Sequence, residues 1–196
     1  MQKQEFEVHL TADLDRNSIL YHQFKMLCIR LDAKPLEIIL ARGEYPRQMM
    51  LSKVVLGKDL ASILMQLDIW IEEFKQHNIQ IIRTKVEVPF QIQNNQLNQV
   101  VDYYEWHALI EYHDSLALKK LCDTYHVHLS HNALKQQENY RFLTLRETGM
   151  ETTFLARLQD VKAELFNQNR VIIKERLESC IHDTNMILDV GWLLSE

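Results

Sequence analysis

Apolar and polar residues alternate at the start of the chain, where Phe6, Val8 and Leu10 interleave with Glu7, His9 and Thr11. Successive strand residues point to opposite faces, so residues 4–12 are predicted to form a strand with one apolar and one Glu-His-Thr face. A polar run at 13–18 offers several helix N-caps, and Ile19, Leu20, Phe24, Leu27, Cys28 and Leu31 then recur at helical spacing. Ala33-Lys34-Pro35 ends that helix, because proline disfavours helical geometry in the residue before it. A compact apolar strand at 36–41, a turn at 42–47 and a returning strand at 48–56 follow. Gly57-Lys58-Asp59 opens a second helix whose broad apolar face runs from Leu60 to Phe74, and Asn78 closes it. Residues 79–88 then form a strand carrying Arg83, Lys85 and Glu87 on one face.

The order then returns: strand 103–111, helix 116–125, strands 126–130 and 140–147, helix 153–167 and strand 171–180. Glu7-Val8-His9 returns as Glu105-Trp106-His107, Leu27-Cys28 as Leu121-Cys122, and the basic strand from Ile81 to Glu87 as Ile172 to Glu178. The offset between copies falls steadily along the unit, as shorter loops in the second copy would require. These anchors predict an α+β fold: a tandem duplication of a ferredoxin-like β-α-β-β-α-β unit, with helices outside and polar sheet faces forming a groove. The expected organisation is a first unit at 1–90, an amide-rich linker at 91–102, a second unit at 103–182 and a C-terminal capping tail at 183–196.

Composition narrows the classes. At 196 residues and 46% hydrophobic content the chain can bury a substantial core, and 4 Gly and 3 Pro indicate regular elements with economical loops. A net charge of −5 removes any global electrostatic case for nucleic acid, and no apolar run reaches the roughly 18–20 residues of a membrane span. Without a hydrophobic signal segment, and with three widely spaced cysteines, a cytoplasmic protein with reduced thiols is expected. Cys28 and Cys122 read as small core residues. The oligomeric state is open.

In the expected sheets, Glu7, His9 and Thr11 neighbour Arg83, Lys85 and Glu87, while Glu105 and His107 neighbour Lys174, Arg176 and Glu178. Charged groups are rarely buried unless paired, so each face is solvated, cross-paired or bound to a ligand. A cleft of this kind suits a phosphate or carboxylate, with fixed cations neutralising it and imidazole moving protons. Cross-strand ion pairs on a solvated sheet give the same pattern without a ligand.

His9-Leu10-Thr11 resembles the His-x-Thr motif of two-histidine phosphoesterases, which have about this length and two lobes with inner sheets and outer helices. The resemblance implies a general base and a general acid, here His9 and His107, with Thr11 holding a phosphate oxygen. The second motif departs from the pattern, because His107-Ala108-Leu109 has no hydroxyl; a His-x-Ser occurs instead at His128-Leu129-Ser130. Glu5-Phe6-Glu7-Val8-His9 is also similar to the Glu-x-Glu-x-Lys start of triphosphate-tunnel enzymes, with histidine replacing lysine; Arg141 to Arg146 and Lys174-Glu175-Arg176 would be the tunnel linings. That resemblance implies acidic residues holding a divalent metal and basic residues gripping a polyphosphate.

His126, His128 and His131 form the densest histidine cluster, and His126 and His128 would share a strand face. A transition metal there needs an added carboxylate, and no Cys pair or His-Glu-x-x-His spacing supplies the usual set, so neither metal nor other cofactor is expected. Asp183, Asn185 and Asp189 read as a polar cap, or as a carboxylate orienting a cleft histidine. The sequence therefore leads to a small phosphoester- or nucleotide-directed protein. Its expected acid-base set is His9, His107, Thr11 and Glu105, and its ligand-binding set Arg83, Lys85, His128, Ser130, Arg141, Arg146, Lys174 and Arg176. The alternative is a non-catalytic module that binds an anionic ligand in the same groove.

Overall fold

The computed structural model describes residues 3–90, 100–135 and 139–190. Its elements are β1 (Gln4–Ala12), α1 (Tyr21–Arg30), β2 (Lys34–Leu40), β3 (Arg47–Gly57), α2 (Leu60–Gln76) and β4 (Ile81–Pro89). They continue with β5 (Tyr103–Glu111), α3 (Ser115–Tyr125), β6 (His128–Asn132), β7 (Tyr140–Glu147), α4 (Glu151–Asn167) and β8 (Ile172–Asp183), followed by a 3-10 turn at Met186–Asp189.

The strands hydrogen-bond in the order β1-β3-β2-β6-β7-β5-β8-β4, and β4 pairs back onto β1 to close an antiparallel barrel. This corrects the expected fold class. The chain is a closed eight-stranded antiparallel β-barrel with four helices, not a tandem of ferredoxin-like units with open sheets facing a groove. Two ladders make the difference: β2 pairs with β6 from Ile38↔Asn132 to Leu40↔Ser130, and β4 pairs with β8 from Lys85↔Asp183 to Pro89↔Glu178. Separate sheets would leave those edges with unpaired N–H and C=O groups, and closure satisfies them.

The apolar faces point outward, into the helix layer. Phe6, Val8 and Leu10 of β1 pack against Phe24 and Leu27 of α1 and Leu67, Trp70 and Phe74 of α2. Trp106, Ala108 and Ile110 of β5 pack likewise against Leu118 of α3 and Phe154, Leu158 and Val161 of α4. Each fully buried side chain of this kind contributes about 1.5–3 kcal/mol relative to an exposed one. Gly57 ends β3 where a Cβ would lie 2.5 Å from Cδ1 of Ile63, so a larger residue would force the Ile63 side chain to move.

The cap of α2 fits the sequence signals, whereas α1 is capped by Leu20, without a side-chain bond, and not by a residue of the polar run at 13–18. Asp59 caps α2 by accepting from the Ser62 N–H at 2.9 Å, and the Ser62 hydroxyl reaches back to complete a capping box. His126 closes α3 in the left-handed region with φ 52°, so it belongs to a helix cap and does not share a strand face with His128. The strand expected at 126–130 instead runs as β6 from His128 to Asn132. The linker expected at 91–102 falls largely outside the described residues, as does the tail beyond residue 190. No helix among the described residues is long and apolar enough to cross a membrane.

Candidate functional site

Because one face of each strand meets the helices, closure turns the alternate residues inward, most of them polar. They surround a cavity of about 370 Å³. One wall, built by β1, β4, β8 and β5, is charged. The opposite wall, from β2, β3, β6 and β7, is mixed: Leu36, Ile38, Leu40, Met50 and Phe142 form an apolar patch beside Gln48, His128, Ser130, Asn132, Thr144 and Arg146.

The charged wall is a closed set of ion pairs. Nε2 of His9 lies 3.0 Å from Glu87 and 3.5 Å from Glu7. Nε2 of His107 lies 3.2 Å from Glu105 and 3.6 Å from Glu178, while its Nδ1 meets the Thr144 hydroxyl at 3.0 Å. Two cations tie these clusters together. Lys85 pairs with Glu87 at 2.8 Å and with Glu105, and Arg176 pairs with Glu178 at 2.9 Å and with Glu7. A second tier adjoins them: Arg146 joins Glu105 at 2.6 Å to Asp189 at 2.8 Å, and Arg83 joins Asp189 at 2.7 Å to Asp183 at 2.5 Å. Tyr103 donates its hydroxyl to Asp183 at 2.5 Å.

Burial and pairing set the protonation of this wall. Burial would lower the Lys85 ammonium, but Glu105 and Glu87 outweigh it and raise it above its ordinary value. Burial would raise Glu87, but Lys85 and the hydrogen bond from His9 bring it down to about 2. Glu105, against Arg146 and Lys85, is also held well below the carboxylate range despite its burial. Burial works against charge on His107, yet its bond to Glu105 raises the imidazole above its usual value. Glu178 goes the other way: burial and the neighbouring Glu87 push it up to about 7. His128 is pushed down to about 4 by burial and the nearby Arg42.

The cavity lining includes His9, His107, Thr11 and Glu105, and also Arg83, Lys85, His128, Ser130, Arg146, Lys174 and Arg176. Arg141 is not among these. It alternates out of phase with Phe142, Thr144 and Arg146, and its guanidinium stacks 4.0 Å over the Tyr112 ring. Glu5, the first acid of the tunnel-like motif, is exposed and also lies outside the lining. The basic residues expected to neutralise phosphate have internal partners, with Arg83, Lys85, Arg146 and Arg176 all paired to carboxylates of the chain. Lys174 and Lys135 line the cavity at exposed positions. Sequence reasoning placed Glu7, Glu87 and Glu178 on the right strand faces but left them out of the site, and it missed the apolar patch. Both follow from alternation once the sheet is known to close.

Glu87, Glu105 and His107 offer ligand atoms within 4.8 Å of one another, a geometry that could hold a metal ion. Lys85 already bridges both carboxylates, so a metal there must displace its ammonium. The His126, His128 and His131 cluster does not converge, because His126 is a helix cap and His131 alternates away from the lumen-facing His128 and Ser130.

No family model and no curated protein matches the sequence. Among solved structures, the small subunit of acetolactate synthase from Thermotoga maritima is similar at 11% identity, over 93% of this chain and 97% of that one, with a TM-score of 0.31. A protein of unknown function from Galdieria sulphuraria shares 14% identity over 91% of this chain and 99% of its own, with a TM-score of 0.27. A protein described as a glycine cleavage system transcriptional repressor shares 11% identity over 93% of this chain and 98% of its own, also with a TM-score of 0.27. Likenesses this distant carry no functional argument; the residues of the lumen have to carry it.

Proposed function

We propose that the chain is a non-catalytic small-molecule-binding module whose ligand occupies the barrel lumen. The observation that carries this reading is the cavity of about 370 Å³ with one ion-paired wall and one mixed wall bearing an apolar patch of Leu36, Ile38, Leu40, Met50 and Phe142. Such a surface is preorganised: its charges are already fixed by one another, so a ligand meets them without a large ordering cost. Catalysis by His9 and His107 asks more of the same groups. Each imidazole would have to exchange a proton with substrate while its Nε2 faces two carboxylates. The threonine beside His9 also has an apolar leucine, Leu109, as its counterpart beside His107. A phosphorylated ligand is the second reading, supported by Lys135 and Lys174 on the lining.

The test is calorimetric titration with AMP, cyclic AMP, phenyl phosphate and hexylamine, on the native chain and on Ile38→Trp and Leu36→Trp, which fill the lumen. Binding of at least one compound is expected, weakened tenfold or more in whichever lumen variant retains native circular dichroism. Product analysis of the same mixtures should show no turnover. Turnover abolished by His9→Ala or His107→Ala overturns the non-catalytic reading, and binding indifferent to both tryptophans overturns the location.

A further inference from the structure

The wall's charge balance identifies the chemistry of the ligand. Six carboxylates, Glu7, Glu87, Glu105, Glu178, Asp183 and Asp189, share four permanent cations, Arg83, Lys85, Arg146 and Arg176. With both histidines neutral these ten groups carry two negative charges in excess, and a proton on His107, which its bond to Glu105 favours, leaves one. Lys135 and Lys174 sit at exposed positions, where solvent damps their influence. The surplus is uneven. Glu105 has Lys85 and Arg146, whereas Glu7 and Glu178 share Arg176 as their one permanent cation. Burial, with the neighbouring Glu87 and Glu7, raises Glu178 to about 7 against the pull of His107 and Arg176, and a further cation beside it would favour its charged form.

A second observation is independent of the acids. The Thr11 hydroxyl lines the same cavity, its residue is 2% exposed, and it has no hydrogen-bond partner among the described residues. A buried hydroxyl left without a partner is destabilising, and a ligand group that bonds it would recover that cost. Thr11 lies four residues along β1 from Glu7, roughly 13 Å at strand rise. Leu36, Ile38, Leu40 and Phe142 line the same lumen.

The geometry points to an organic cation as the lumen's ligand, with its ammonium against Glu7 and Glu178, its apolar body against the β2 and β7 side chains, and a hydrogen-bonding group at Thr11. This deepens the lumen-binding reading and rests on it. A lone metal ion would satisfy the charge but leave the apolar patch and Thr11 without a role.

A matched series separates the possibilities. 6-Aminohexan-1-ol, 1,6-hexanediol and 6-hydroxyhexanoate share length and body and differ in the charge at one end; magnesium and zinc chloride stand for ions alone. The amine is expected to bind at least tenfold tighter than either analogue. Glu178→Gln should weaken it tenfold or more and Thr11→Val threefold or more, both with native circular dichroism. If the diol or hydroxy acid binds as tightly as the amine, the cation inference fails while the lumen reading stands. If only the metal ions bind, or the amine binds with both substitutions silent, the inference fails. If no compound of this series or of the phosphate panel binds, both readings fall.

Discussion

Replacing Lys85 by methionine removes the one cation that Glu87 and Glu105 share while keeping a side chain of similar length over the Tyr103 ring, 5.5 Å from the present ammonium. Glu105 keeps Arg146 at 2.6 Å and His107 at 3.2 Å, so most of the damage falls on Glu87, left with His9 alone at 3.0 Å. Glu87 and Glu105 are 1% exposed, which places the loss in the regime of a broken buried pair. Removing one partner there costs about 3–5 kcal/mol, or roughly 6–20 °C in Tm for a chain of this size.

A double-mutant cycle isolates the cause. Lys85→Met with Glu87→Gln removes the stranded charge together with its partner, and should return at least half of the loss. The pH dependence supplies a second check. Native Glu87 sits at about 2, below its unfolded value, so its contribution is complete above about 4.5 and is lost as pH falls toward 2. Without Lys85 its carboxyl rises, so the variant's deficit should narrow as pH falls from 7 to 5 while the native curve changes little through this group. Urea unfolding followed by far-UV circular dichroism at pH 5, 6 and 7 measures both. A single-variant loss below about 1 kcal/mol, or a double variant as unstable as the single, would refute the claim that the ring is a set of buried, mutually dependent charges.

Two further outcomes are expected. Glu178 is raised to about 7, so its protonated form favours folding below about 4.5 and that contribution is lost as pH rises through 7. The stability of the native chain relative to Glu178→Gln should therefore fall by on the order of 2–3 kcal/mol between pH 5 and 7.5, read from urea midpoints, and a flat difference would refute the shift. Cys28, Cys122 and Cys180 are buried and pushed up to about 12, 11 and 12, so an aromatic disulfide reagent should label none of them in native buffer at pH 8 and all of them in urea. Rapid native labelling of any of the three would contradict their burial.

Which residues share a face was legible in the sequence; which strands share a ladder was not. The alternation around Glu7, His9 and Thr11 fixed a polar side for β1, and the same rule placed Lys85 and Glu87 beside it on β4. Period-two patterning is indifferent to what lies beyond the edge of a sheet, however. The pairings Ile38↔Asn132 and Glu87↔Cys180 join residues about ninety apart, through backbone groups every residue carries, and no side-chain pattern announces them. The error in fold class is that one missing fact. It also explains the misreading of the basic residues. On open sheets Arg83, Lys85 and Arg176 would face solvent or ligand, whereas closure brings carboxylates from across the barrel to them, as with Arg176 and Glu7. Arg141 was misplaced for a simpler reason: it is out of phase with Arg146 by an odd number of residues, which the alternation rule already forbids from sharing a face.

The two histidine clusters match closely, yet the lumen around them does not read the same from both ends, and the difference orients a ligand. The ladder from β1 through β4 and β8 to β5 has three antiparallel steps, so β1 and β5 run in opposite directions and their last residues lie at opposite ends of the barrel. At the β1 end, Thr11 neighbours Arg83, which is 5% exposed and locked to Asp183 and Asp189. The 3-10 turn from Met186 covers this end, held by the Gln48 amide donating to the Leu188 carbonyl at 3.1 Å. At the β5 end, Leu109 neighbours Lys174, which is exposed, and no such turn crosses it among the described residues. The β1 end thus carries the turn and an unpartnered hydroxyl, and the β5 end an exposed cation. By register, Lys174 and then Arg176 and His107 stand nearest the β5 end, Glu105 and Glu178 come next, and Glu7 and Glu87 lie deeper, so a ligand entering there would pass these cations before it reached the acids.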